Sequence, residues 1–182
     1  MTRFPRRAPL LVALYVLLVA ACAPSAVTPV QSADDLNING YGKTTWGMTP
    51  DQVLKAEAPG AKKLDKPERT GDLTGAIVVD GIQFGTDKFT ALFSFDDDLR
   101  LQEVVVKCLE QDNLQANALT FSFLEKLFTE KYGSPTRRER SSRPRVFWEL
   151  PNTTIRLVHF TAFEGRISRV NFSYMPRGRG RE

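Results

Sequence analysis

The stretch from position 89 to 95 restricts the fold more tightly than any other. Phe89, Ala91, Phe93 and Phe95 alternate with Thr90, Leu92 and Ser94, the period of a half-buried β-strand. Such a strand needs partners on its edges and a layer over its apolar face. Strand-like runs at 76–84 and 99–108 flank it, and Asp96-Asp97-Asp98 makes the turn into the second. Three more such runs follow at 145–150, 154–163 and 166–174, with turns at Pro151-Asn152 and Glu164-Gly165.

Helices are expected to supply the covering layer. Thr49 is placed to cap a short helix, with Pro50 at its first position and Gln52 completing a capping box. Met48 and Val53 stand where a hydrophobic staple packs, and the helix stops before Pro59-Gly60. A longer helix is predicted over 114–132. Leu114, Ala118, Phe121, Leu124, Phe128 and Tyr132 form its apolar stripe, widened by Phe123 and Leu127. Gly133 and Pro135 end it. The charged stretch 62–75, with Pro67, Gly71 and Gly75, reads as loop or ragged edge strand.

The expected class is therefore α+β, with helices packed on one face of an antiparallel sheet. One domain over 44–176 is expected, and its halves, 44–110 and 113–176, share the order helix, loop, three strands. Leu101, Val104, Val106 and Cys108 match Ile167, Val170, Phe172 and Tyr174, each set stepping first by three residues and then by two. A step of three breaks strand alternation, which predicts β-bulges near Gln102-Glu103 and Ser168-Arg169. The halves read as a weak tandem helix-plus-three-strand repeat.

A leader precedes this domain. Arg6 and Arg7 introduce an apolar run over 10–21 that closes on Ala20, Ala21 and Cys22. A basic start, an apolar run and small residues before a cut site mark a secretory signal peptide, here 1–21. The run is shorter than the about 20 residues that span a bilayer. Val19-Ala20-Ala21-Cys22 resembles the lipobox of bacterial lipoproteins. That resemblance implies cleavage before Cys22, lipid on its sulfur and acylation of the new amino terminus. Ala23 in place of aspartate implies the periplasmic face of the outer membrane in a Gram-negative host, with inner membrane and cell surface as the other possibilities. Several acyl chains on one residue anchor stably, where one chain binds only reversibly. Residues 22–43 then form a flexible tether with Pro24 and Pro29, reaching about 20–25 Å. Arg177, Arg179 and Arg181, interleaved with glycine, form a basic tail over 177–182 that is expected to be disordered.

Charge narrows the partners. The net charge is +4, but Arg3, Arg6 and Arg7 lie in the leader, so what remains is nearly balanced and nucleic acid is not expected. Of the two cysteines, lipid occupies Cys22, so no disulfide is expected within the chain and the hydrophobic core must hold the exported domain. Cys108 shares the stripe of Val104 and Val106, which favours a buried small hydrophobe over a reactive thiol. His159, the single histidine, lies mid-strand between Val158 and Phe160 and reads as a packed residue rather than a catalytic base. No zinc-type His-Glu-x-x-His, glycine-rich phosphate loop or cysteine pair occurs, so no metal or cofactor is expected. Asp96-Asp97-Asp98 lacks the spacing of a calcium loop and reads as a solvated turn. The candidate binding residues are Arg137, Arg138, Arg140, Arg143 and Arg145. Such a cluster suits anionic lipid headgroups, at about 1 kcal/mol per basic residue near the surface, though the plainer reading is a solvated loop.

The lipobox, the run Thr45-Trp46-Gly47-Met48-Thr49-Pro50-Asp51-Gln52-Val53 and the helix end Glu130-Lys131-Tyr132-Gly133-Ser134-Pro135 together resemble small envelope lipoproteins. That group includes the BamE (SmpA/OmlA) assembly lipoproteins and the β-lactamase-inhibitor-like fold. The resemblance covers residues 44–174 in layout and implies helices on one face of an antiparallel sheet, in single or tandem copies. It carries no functional residue across, and the tandem length departs from the single-copy assembly lipoprotein. The expected function is a membrane-anchored protein-binding or envelope-assembly module. The alternative is a periplasmic inhibitor or ligand-sensing domain, and a hydrolase is least favoured. An apolar strip on the sheet face away from the helices would support the first, and a deep pocket ringed by polar groups the others.

Overall fold

The computed structural model describes residues 36–109 and 112–179. The signal peptide, Cys22, the tether as far as 35 and the last three residues of the tail lie outside the described residues. Element order is α1 (Pro50–Ala56), β1 (Ala61–Thr70), β2 (Leu73–Phe84), β3 (Asp87–Phe95), β4 (Leu101–Cys108), α2 (Leu114–Tyr132), β5 (Arg137–Glu139), β6 (Arg145–Glu149), β7 (Thr153–Ala162) and β8 (Ile167–Pro176). All eight strands join one antiparallel sheet in the order β1-β2-β3-β4-β8-β7-β6-β5.

The expected α+β class is corrected by this sheet. Among the described residues the fold is predominantly β, with two helices of 7 and 19 residues beside eight strands. The charged stretch 62–75 takes the edge-strand alternative as β1, with its last residues opening β2, and β5 is a further edge strand from a segment too charged to show alternation. An edge strand wetted along its length does not need an apolar face, and charge on it discourages pairing with other chains. Pro67 sits where the β1–β2 register slips, between Lys63 and Glu68, a place where a missing N–H costs little.

Each half thus contributes four strands, and their last strands meet mid-sheet, with Val104 opposite Tyr174. One of the two expected bulges is present: Ser94 faces Glu103 and Phe95 faces Leu101, leaving Gln102 as the extra residue. The other is absent, because Ser168 and Arg169 pair in unbroken register with Thr161 and Phe160.

One face of the sheet is the core. Ile77, Phe93, Val104, Tyr174, Ile155 and Trp148 stand side by side on six neighbouring strands, all buried. Onto this face α2 lays Leu124, Phe128 and Tyr132, and α1 lays Val53. Phe128 meets Phe172 and Trp148 edge-on, at 5.0 and 5.6 Å between ring centres. The Trp148 indole donates to the Gly133 carbonyl at the end of α2, 3.0 Å away.

The first half of α2 departs from the expected stripe. Leu114, Ala118 and Phe123 are exposed, while Asn117 and Thr120 are buried. Distant groups make those polar positions tolerable: Asn117 donates to the Ser168 carbonyl (2.9 Å) and Thr120 to the Asp87 carboxylate (2.6 Å). Phe121 is half-buried against His159.

The chain belongs to the body earlier than the expected tether allows. Leu36, Ile38 and Tyr41 pack on the core. The Thr153 hydroxyl donates to the Ile38 carbonyl (2.6 Å) and accepts from the Trp46 indole (3.0 Å). At the other end, Arg179 pairs with Asp72. Among the described residues no helix is long and apolar enough to cross a membrane.

Candidate functional site

The sheet face turned away from the helices carries one row across all eight strands. It runs Arg137, Phe147, Arg156, Ser173, Val105, Leu92, Val78 and Lys62. Cationic groups end the row and apolar residues occupy four of its places. Leu92 leans over Gly75, where an added Cβ would come within 2.8 Å of its methyl carbon. Arg156 reaches across to Glu103 at 3.3 Å. At one end of the face two aromatic rings are capped by guanidinium groups: Arg137 lies 3.8 Å from the centre of Phe147, and Arg143 lies 4.6 Å from that of Phe160.

The five candidate arginines are close in sequence, but the fold divides them. Arg137, Arg143 and Arg145 serve the face just described, the first and last of them paired with Glu139. Arg138 turns towards the helices and pairs with Glu125 of α2 at 2.9 Å. Arg140 is exposed and makes no ion pair or ring contact among the described residues. Their cationic character is therefore partly spent on Glu139 and Glu125. What distinguishes this edge is the stacking of arginine on phenylalanine.

His159 is buried in β7, its Nε2 2.9 Å from the Ser168 hydroxyl, which is fully buried. Burial pushes the imidazole below its ordinary value. Above about pH 6.5 the ring is neutral in both folded and unfolded chains. Below that, the unfolded chain takes a proton that the folded chain resists, so stability falls as pH falls. His159→Gln is expected to flatten the loss of melting temperature between about pH 7.5 and about pH 5.5. An equally steep loss in the variant would place the acid sensitivity elsewhere.

The remaining candidates fall in structural places. Asp96 organises its turn, accepting from the Arg100 amide at 2.8 Å and from Gln102 at 2.8 Å. Among the described residues no three His, Cys, Asp or Glu side chains gather as a metal site. Cys108 is buried in the core.

A second candidate site was not anticipated. On the helix side of the sheet, a cavity of about 1000 Å³ lies between the end of α1 and α2. Val79, Ile82, Phe84, Phe93, Leu127 and Phe128 give it apolar walls. Polar groups and tyrosine rings line its other side. The Lys43 amide donates to Glu57 (2.7 Å), the Tyr41 ring packs on Tyr174 (5.1 Å), and the Tyr174 and Tyr132 hydroxyls are 3.0 Å apart. The Lys131 ammonium lies over the Tyr132 ring. Burial first, then the nearby Glu57 carboxylate and Tyr132, push the Tyr41 phenol up to about 12. Burial likewise pushes Tyr174 well above the usual tyrosine value. Both hydroxyls stay protonated and able to donate. The residues come from before α1, from α1, three strands and α2, so no local spacing announces them.

Comparison of the chain with protein-family models, with curated proteins and with solved structures finds no match.

Proposed function

We propose that this chain is a membrane-anchored periplasmic lipoprotein, held by lipid on Cys22, that acts as a protein-binding or envelope-assembly module. The observation that carries the reading is the arginine-on-aromatic strip of Arg137, Phe147, Arg143 and Phe160 on the sheet face away from the helices. Arginine and aromatic residues are the types enriched at protein interfaces, and as clustered anchors they dominate binding energy. Phe147 is 3% exposed beneath Arg137, so the guanidinium groups themselves form the surface that a partner would meet. Anchoring adds local concentration, so a modest contact suffices at the membrane.

The test is crosslinking in cells from a photoreactive residue at Val158, between the two rings. An envelope protein should be captured, and the pair Arg137→Ser and Arg143→Ser should abolish its capture. The stability loss should stay near about 1 kcal/mol per ring contact. Cys22→Ser should leave the chain unacylated, release it from the membrane fraction and reduce capture. Capture indifferent to the arginines would exclude this face, and unchanged mass and fractionation of the cysteine variant would exclude the anchor. Binding to anionic vesicles that salt abolishes, with no protein captured, would make the strip a headgroup site instead.

A further inference from the structure

The cavity on the helix side makes no contribution to the proposed protein contact, and its chemistry points to a different partner. Its walls are aliphatic and aromatic, and its volume of about 1000 Å³ is at the upper end of small-molecule pockets. Its neutral polar side chains are the three tyrosines with Asn39, Thr44 and Thr45, and its charged ones are the three residues Lys43, Glu57 and Lys131. Two of those three are cations, and the Glu57 carboxylate already accepts from the Lys43 amide. The Tyr41 hydroxyl makes no hydrogen bond among the described residues, although its ring is packed against Phe93 and Tyr174.

We propose that this cavity binds a single-chain amphiphile with an anionic head, such as a long-chain carboxylate. The tail lies along Val79, Ile82, Phe84 and Leu127, and the head is held by the Tyr41 hydroxyl and the ammonium groups of Lys43 and Lys131. A cationic amphiphile would meet two like charges. The chain's own tether is a poor substitute. Residues 23–35 carry nothing larger and apolar than Val27 and Val30, and they end in Asp34 and Asp35.

The test is calorimetric titration of dodecanoate, kept below its micellar concentration, into the chain from position 22 onward carrying Cys22→Ser. Without the apolar leader and the acyl acceptor, no detergent is needed to compete for the cavity. One dodecanoate should bind per chain. Leu127→Trp, which fills the space from α2, should weaken it at least about tenfold. Lys43→Met with Lys131→Met, both exposed, should weaken dodecanoate about tenfold, the scale of one charge-assisted hydrogen bond, and leave dodecanol unchanged. No binding would overturn the proposal, as would binding that neither variant alters. Equal affinity for dodecyltrimethylammonium would overturn the anionic head. A crystal structure with tether residues seated in the cavity would assign it to the chain itself.

Discussion

Phe128→Ala is expected to destabilise the fold by about 3–5 kcal/mol, the range for deleting a buried aromatic side chain. Phe128 is 2% exposed and touches Phe172, Trp148 and Tyr132, so its ring joins α2 to the middle of the sheet. The space left by its removal is bounded by other rings and by the strand layer, and it opens into the cavity that Phe128 helps to wall. Against a total stability of about 5–15 kcal/mol, the variant should show a large fall in its urea midpoint. Phe123→Ala, five residues earlier on the same helix, is the comparison. Phe123 is 43% exposed, and substitutions at such sites usually stay within about 0.5 kcal/mol. Equal midpoints for the two variants would mean that α2 presents a different face to the sheet.

A second large effect is expected from Gly40→Ala. An added Cβ there would sit 1.9 Å from the Thr44 carbonyl oxygen and 2.8 Å from the Thr45 Cα. Those neighbours are backbone and are pinned on both sides. The Trp46 amide donates to Asn39, and the Trp46 indole and the Ile38 carbonyl share the Thr153 hydroxyl. Relief therefore means breaking this seam between the chain's entry and β7. The cost should exceed the about 1–3 kcal/mol of ordinary overpacking. Gly60→Ala is the control, since its Cβ would find only ordinary contacts at 3.6 and 3.7 Å. Thermal melting of the two variants checks the difference, and a Gly40→Ala protein melting with the native one would refute the packing described.

How much of this was legible depends on how local each cause is. Alternation at Phe89, Ala91, Phe93 and Phe95 marks a strand because both of its faces write themselves into adjacent residues. Thr49, Pro50 and Gln52 mark a helix start because capping is settled within four residues. Charge leaves the edge β1 ambiguous between loop and strand and hides the edge β5, and with them the predominance of sheet. Asn117 and Thr120 give no local sign of burial, because their hydrogen-bonding partners, Ser168 and Asp87, are 51 and 33 residues away. The arginine cluster was visible as composition, but its division between two faces depends on strand register. The cavity left no trace in sequence, since Tyr41, Glu57, Leu127 and Tyr174 meet only after the sheet closes.

The position of β8 has a consequence for how the chain acquires its structure. β8, the last of the described strands in chain order, lies in the centre of the sheet, with β4 on one side and β7 on the other. Until it is inserted, Val104 and Val106 lack their cross-strand neighbours Tyr174 and Phe172. The first four strands can pair as they emerge, but they must wait for residues about seventy positions later before the hydrophobic layer is continuous. Non-local closure of this kind slows folding, and the hydrophobic layer stays interrupted, with β4 an open edge, until β8 has joined.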